Sequence, residues 1–313
     1  MKTIEKLKTM KTKFNLVPVM LILSVLFFTS CNDDDDMDQM GEKNIVEVAA
    51  EAGQFSILIQ AAQKAGLADY LSTQNGITVF APTDAAFKNL LKDLGANSLD
   101  DIPVADLTNI LLYHVIGSKA MSTDLKSGYL PTLSKSGDNS ISMYINLANG
   151  VAINKNTKVT SADISAKNGV IHVVDKVILP PTVVNIALDN DNFTILVQAV
   201  VKAGLVDALS GKGPFTVFAP TNDAFNALFA QLGISGINDL TAEQLIPILT
   251  YHVVSGNVLS KSLANGNVGT LNEGKSLTVN LTGGVKINSS EVIAADIQGS
   301  NGVVHVINKV LIP

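Results

Sequence analysis

Phe215-Thr-Val-Phe-Ala-Pro-Thr-Asn-Asp-Ala-Phe225 has an earlier counterpart in the same chain, Ile77-Thr-Val-Phe-Ala-Pro-Thr-Asp-Ala-Ala-Phe87. In each copy a short, β-branched apolar run reads as a buried strand. The Pro-Thr pair then breaks the run and a helix is predicted to begin. Thr83 or Thr221 supplies the N-cap, and Asp84 or Asp223 lies in the first turn, where the helix dipole favours negative charge. Two copies of one strand–turn–helix unit predict two copies of one domain.

Working outward, the repetition covers most of the chain. Phe55 and Phe193, Phe80 and Phe218, and Tyr113 and Tyr251 are each 138 positions apart, whereas Gly169 and Gly302 are 133 apart. The second copy therefore loses five residues after its Tyr-His pair. Both copies close alike, on Val177-Ile-Leu-Pro180 and Val310-Leu-Ile-Pro313, and we expect no third domain after the second. Each opens on a helical pattern at 55–64 or 193–202. Gly66 or Gly204 fits the left-handed position past the helix end, and Leu67 or Leu205 folds back as the hydrophobic contact. Further helices are predicted at 68–71 and 206–209, and at 106–113 and 242–251, where Pro247 implies a kink or a late start. The rest of each copy alternates apolar and polar residues. Asn149-Gly150 and Gly283-Gly284 read as two-residue hairpin turns, and Asn168-Gly169 and Asn301-Gly302 lie at the tip of a second hairpin. Helices early and strands late predict an α+β class.

The 313 residues are 47% hydrophobic and 16% charged, enough for two cores, with a net charge of −6. Five lysines and one glutamate precede Cys31, leaving 17 lysines against 27 acids, a net of −10, from Cys31 onward. There is no arginine. A basic face with arginine forks is what nucleic-acid binding requires, so we expect no nucleic-acid partner. Cys31 is the only cysteine, so internal disulfides are excluded.

Residues 1–30 read as a targeting segment: lysines up to Lys13, an apolar run at 14–28, then Thr29-Ser30 before Cys31. The run falls short of the ~20 residues of a membrane span. The arrangement resembles a bacterial lipoprotein signal, which implies Cys31 as the lipidated residue and a lipid anchor in the outer membrane. Asn32-Asp33-Asp34-Asp35-Asp36 is too charged to fold, and we read 31–41 as an acidic tether. Such a run also looks like the signal that sends Bacteroidetes lipoproteins to the outer face of the outer membrane. A plain solvated tether and an export signal both fit it, and we expect exposure on the cell surface, with the periplasmic face as the alternative.

The segments Thr-Val-Phe-Ala-Pro-Thr, the Tyr-His pairs, and Asn-Gly-Val-Ile/Val-His-Val with its Leu-Pro or Ile-Pro ending resemble the signature blocks of fasciclin (FAS1) domains. They occur in the same order in both copies. The resemblance implies domains at 42–180 and 181–313, each a wedge-shaped antiparallel β-sandwich with helices packed on it, in an extracellular adhesion protein. It also marks two candidate binding features. Tyr113-His114 and Tyr251-His252 match a region linked to integrin-mediated adhesion in animal relatives. Asp163-Ile164 and Asp296-Ile297 match the core of short adhesion motifs in periostin-like matrix proteins, although Ala162 and Ala295 depart from them.

The residues themselves offer a plainer alternative. A buried Tyr uses its hydroxyl locally, Asp serves turn geometry, and Ile164 and Ile297 fill a core. His172 and His305 sit among Val and Ile, as hydrogen-bonded structural histidines do. The histidines lack the converging ligands of a metal site. No Gly-x-Ser-x-Gly elbow, reactive cysteine or phosphate-cradling glycine loop is present. We therefore expect no catalytic residue, no metal and no cofactor, and a binding role toward an extracellular protein, a glycan or other cells. The alternative is an accessory polysaccharide-binding lipoprotein of an outer-membrane nutrient-uptake system. With no Trp and 5% aromatics, few rings are available to stack on sugars.

Overall fold

The computed structural model describes residues 43–313. The signal segment, Cys31 and the acidic tether lie outside the described residues. The first repeat runs α1 (Ile45–Glu51), α2 (Ser56–Lys64), α3 (Ala68–Thr73), β1 (Ile77–Pro82), α4 (Asp84–Leu94), α5 (Val104–Tyr113), β2 (Val115–Ile116), β3 (Gly128–Ser136), β4 (Asn139–Asn146), β5 (Ala152–Ile153), β6 (Thr157–Ala166) and β7 (Gly169–Val174). The second repeats it as α6 (Val183–Leu188), α7 (Thr194–Lys202), α8 (Val206–Ser210), β8 (Phe215–Pro220), α9 (Asn222–Leu232), α10 (Ala242–Tyr251), β9 (Val253–Ser255), β10 (Gly266–Gly269), β11 (Ser276–Asn280), β12 (Lys286–Ile287), β13 (Ser290–Gly299) and β14 (Gly302–Ile307).

The duplicated stretch forms the joint its residues imply. β1 is buried along its whole length. Thr83 Oγ1 accepts the Ala86 N–H at 3.3 Å, and Thr221 Oγ1 accepts the Ala224 N–H at the same distance. Asp84 Oδ1 also accepts the Ile57 N–H at 2.7 Å, which ties the start of α2 to the start of α4. Asn222 takes that task in the second repeat, toward Ile195 at 3.0 Å. The ends of α2 and α7 follow from their glycines: Gly66 and Gly204 adopt φ of 68° and 67°. Leu67 and Leu205 then donate back to Ala62 and Val200, at 2.8 and 3.1 Å, the 6→1 bond that closes a helix end.

Each repeat has one seven-stranded sheet, ordered β2-β1-β7-β6-β5-β4-β3 in the first and β10-β11-β12-β13-β14-β8-β9 in the second. The two halves of each sheet pack on one another. In the first repeat Phe80 and Val174 from the β1–β7 half meet Ile141, Met143, Ile145 and Ile153 from the β4–β5 half. Helices cover the opposite face, where Phe55, Phe87, Leu107 and Ile171 form a second core layer. The sandwich and the α+β class are therefore present, with one departure from the antiparallel expectation. β1 and β7 pair in parallel, Phe80 opposite His172, and so do β8 and β14. Strands buried on both faces carry unbroken apolar runs, as parallel central strands do.

Two other expectations change. The turns at Asn149-Gly150 and Gly283-Gly284 belong to longer connections, since Asn146 pairs with Ala152 and Asn280 with Lys286. Asn146 Oδ1 accepts the Ala148 N–H at 2.9 Å and Asn280 Oδ1 accepts the Thr282 N–H at 2.8 Å, and these Asx turns widen the loops. Helix α10 does not start late. It begins at Ala242 beneath a Thr241–Gln244 capping box and runs through Pro247.

The repeats meet along β4 and β13. The Gln298 N–H donates to Ser142 Oγ at 3.1 Å in a buried setting, and Ser136 Oγ donates to the Ser300 carbonyl at 3.0 Å. Asn190 Nδ2 donates to the Tyr129 hydroxyl at 3.2 Å, and Lys155 pairs with Asp191 at 2.6 Å. Asp189 lies half-buried beside these groups. Burial raises its carboxyl to about 7, against the opposing pull of the Lys155 ammonium.

Candidate functional site

Helices α5 and α10 deliver the Tyr-His pairs into the interior. Tyr113 is fully buried; its hydroxyl donates to the Ser142 carbonyl and accepts from Asn154 Nδ2, both at 2.9 Å. Burial raises its pKa. His114 is equally buried. The Ile178 N–H donates to its Nε2 at 2.9 Å, so Nδ1 carries the proton and donates to the Ile110 carbonyl at 2.7 Å. Burial pulls its pKa down to about 4, so the ring is neutral near pH 7. The second repeat reproduces each bond. Tyr251 donates to the Ser276 carbonyl at 2.9 Å and accepts from Asn288 at 3.1 Å. His252 bonds Ile248 and Leu311 at 2.8 and 2.9 Å, with its pKa also near 4. These four residues pin the end of a helix to the sheet and to the closing segment of each repeat. Their side-chain polar atoms are all bonded within the fold.

The Asp-Ile pairs occupy bulges in β6 and β13, with Asp163 and Asp296 at φ of 64° and 63°. Asp163 accepts the Ser122 N–H at 2.7 Å and the Ser122 hydroxyl at 2.6 Å, and those bonds lower its pKa. Its own N–H donates to His172 Nδ1 at 3.2 Å, and His172 Nε2–H donates to the Ala120 carbonyl at 2.9 Å. Asp296 holds Ser260 in the same way, with its N–H on His305 Nδ1 at 3.3 Å. His305 Nε2–H reaches the Val258 carbonyl at 2.9 Å, and burial lowers its pKa. Ile164 packs against the first core and Ile297 is buried in the second. Each aspartate thus latches the loop that follows the Tyr-His helix onto the sheet. The carboxylates reach the surface with their oxygens engaged, and the isoleucines point inward.

All four histidines therefore have both ring nitrogens bonded to backbone groups. Among the described residues no cluster of three or more His, Cys, Asp or Glu could hold a metal ion.

Two concave features escaped motif reading. An open groove of about 770 Å³ lies on the first repeat beside its junction with the second. It is lined by the exposed Asp101, Asp106, Asn109 and Lys135, with Leu179 and Ser300 completing it. The second repeat also holds an apolar cavity of about 210 Å³ between α6, α7, α8 and the sheet, while the equivalent space in the first repeat measures about 40 Å³. A position-by-position comparison of the copies signals the difference: Ala50 and Gln63 stand where Leu188 and Val201 stand.

Comparison with known proteins agrees with this architecture. The fasciclin domain profile matches residues 53–180 and 191–313. Protein sll1483 of Synechocystis is 48% identical over 133 residues, 42% of this chain and 73% of the relative. Transforming growth factor-beta-induced protein ig-h3 of Sus scrofa is 33% identical over 279 residues, 87% of this chain, and human periostin is 28% identical over 253. The chain spans only 38% and 29% of the length of those two animal proteins. The FAS1 domain pair from the insect cell adhesion molecule Fasciclin I superposes with a TM-score of 0.53 at 19% identity, covering 84% of this chain and 98% of that one. The same profile thus matches twice, once over each structural repeat, and the chain belongs to the fasciclin domain family as a tandem pair.

Proposed function

We propose that this protein is a surface-anchored lipoprotein whose tandem fasciclin domains mediate attachment to an extracellular matrix protein, a glycan or another cell. The observation that carries this is the junction groove. It lies on the first repeat with Ser300 of the second at its edge, and it presents the exposed side chains of Asp106, Asn109 and Lys135, whereas the recognisable motif residues are spent inside the fold. The description of the insect relative as a cell adhesion molecule supports the same reading. An open, mixed polar surface suits an extended polypeptide better than a sugar ring, since no aromatic side chain lines it.

The lipid anchor at Cys31, the tether at 31–41 and placement on the outer face of the outer membrane are parts of the same proposal, supported by the sequence of the first 41 residues. Protease shaving of intact cells, with attachment to immobilised matrix proteins and polysaccharides measured before and after, tests it. Loss of the protein together with loss of attachment supports the proposal. Protection from protease, or unchanged attachment across the panel after gene deletion, contradicts it. Binding to polysaccharide alone gives the nutrient-capture role instead.

A further inference from the structure

The two repeats follow one plan, yet the layer between helices and sheet is closed in one and open in the other. In the first repeat the space is about 40 Å³; in the second it is about 210 Å³. The two walls differ at specific positions. Ile45, Ile59 and Ile171 of the first wall are replaced by Val183, Val197 and Val304, each shorter by one carbon. In the opposite sense, Ala62 of α2 is replaced by the larger Val200, half-buried on α7. At the mouth, Leu188 and Val201 are 43% and 60% exposed.

The chemistry of the wall restricts what can enter. Apart from His252, every side chain lining the cavity is hydrocarbon. Both His252 nitrogens are already bonded, to the Ile248 carbonyl and the Leu311 N–H. No free donor or acceptor is left to hold a water or a polar head, and apolar cavities of this kind stay dry. A dry cavity of about 150 Å³ admits the six carbons of benzene, so about 210 Å³ admits roughly eight. The apolar mouth lets a polar head stay in water while the tail runs inward.

From these observations we infer that the second repeat binds a single unbranched acyl or alkyl chain, of roughly eight carbons inside the protein, with its head group outside. The first repeat does not. This goes beyond attachment and does not depend on it, since the cavity lies within one repeat and away from the junction groove. The chain belongs to a free fatty acid or alcohol, or to the tail of a lipid.

The test is a titration of the purified protein with straight-chain alcohols and carboxylates of four to twelve carbons, followed by calorimetry and by the methyl NMR signals of its valines. Affinity is expected to rise about fourfold per added methylene, as burial of each one predicts, and to level off near eight carbons. Alcohol and carboxylate of equal length should bind alike, because the wall offers neither head group a partner. In Val183→Ile/Val197→Ile/Val304→Ile, which adds three carbons to the wall, levelling is expected at roughly five carbons. Val201→Gln, an exposed change, keeps the fold and weakens every member of the series. A short-chain diacyl lipid below its micelle concentration, competing with octanol, separates a lipid tail from a free amphiphile. Absence of length-dependent binding overturns the inference, and so does a length limit that the triple variant leaves in place.

Discussion

Asn168 Oδ1 accepts the backbone N–H of Ile45 at 2.8 Å, joining a hairpin tip to the first turn of a helix 123 positions earlier. The same side chain donates through Nδ2 to the carbonyls of Leu71 and Gln74, at 2.8 and 2.9 Å. One buried amide thus anchors α1, α3 and the β6–β7 turn. The following residue has to be glycine, because a Cβ on Gly169 would run into the Ile77 carbonyl of the neighbouring strand. Asn301 and Gly302 repeat the arrangement with Val183, Leu209 and Gly211.

Removing this amide strands a buried donor and two acceptors at once. Asn168→Ala should cost about 3 kcal/mol of first-repeat stability, since each buried group left without a partner costs about 1–3 kcal/mol. Asn301 is less buried, so Asn301→Ala should cost less. Denaturant unfolding of both variants measures the difference, and equal costs would show that burial does not set them.

Stability should depend on pH through groups of opposite sign. His114 and His252 have values near 4 in the fold against 6.5 when free. Between pH 6.5 and 4 the unfolded chain binds more protons, so stability falls as pH falls. Asp189 is raised from 3.8 to about 7; its folded state keeps a proton that the unfolded chain has lost, so its contribution is lost as pH rises from 4 to 7. Two histidines outweigh one aspartate, and the protein should weaken between pH 7 and pH 4.5. Asp189→Asn removes the opposing contribution. It should steepen that acid loss and raise stability at pH 8 by about 1–2 kcal/mol, a fraction of the full shift because the group keeps some solvent contact. Chemical unfolding across this range checks both slopes, and identical slopes would mean that Asp189 is solvated.

The junction rests on few bonds, so a single change there should uncouple the repeats without unfolding either. Ser142→Val leaves the Gln298 N–H buried without its acceptor. The expected result is faster proteolysis at the joint and separation of the two unfolding transitions, with each repeat keeping its fold. A variant that unfolds in one unchanged transition would place the coupling elsewhere.

The duplicated strand–turn–helix was legible because its information is local: β-branched run, proline break, threonine cap. The parallel pairing of β1 with β7 was not, since an apolar run buried on both faces looks the same whichever way its neighbour points. The Tyr-His and Asp-Ile pairs were visible as motifs, but sequence alone does not say which way a side chain faces. Asn168 and Asn301 read as ordinary turn residues, and their reach to helices more than 90 positions away leaves no trace in local spacing. The cavity escaped for another reason: differences as small as Ile59 against Val197 or Ile171 against Val304 take effect only once helix and sheet are packed.

The most direct test of attachment through the junction groove is binding of the purified protein, coupled to beads, to immobilised matrix proteins and polysaccharides. The comparison is with Asp106→Lys/Lys135→Glu, two exposed changes that reverse charge in the groove and should leave the fold intact. The account predicts at least about a tenfold loss of bead attachment, on the order of 1.4 kcal/mol of binding, with circular dichroism and Tm unchanged. Attachment by the double variant equal to that of the parent protein would contradict it.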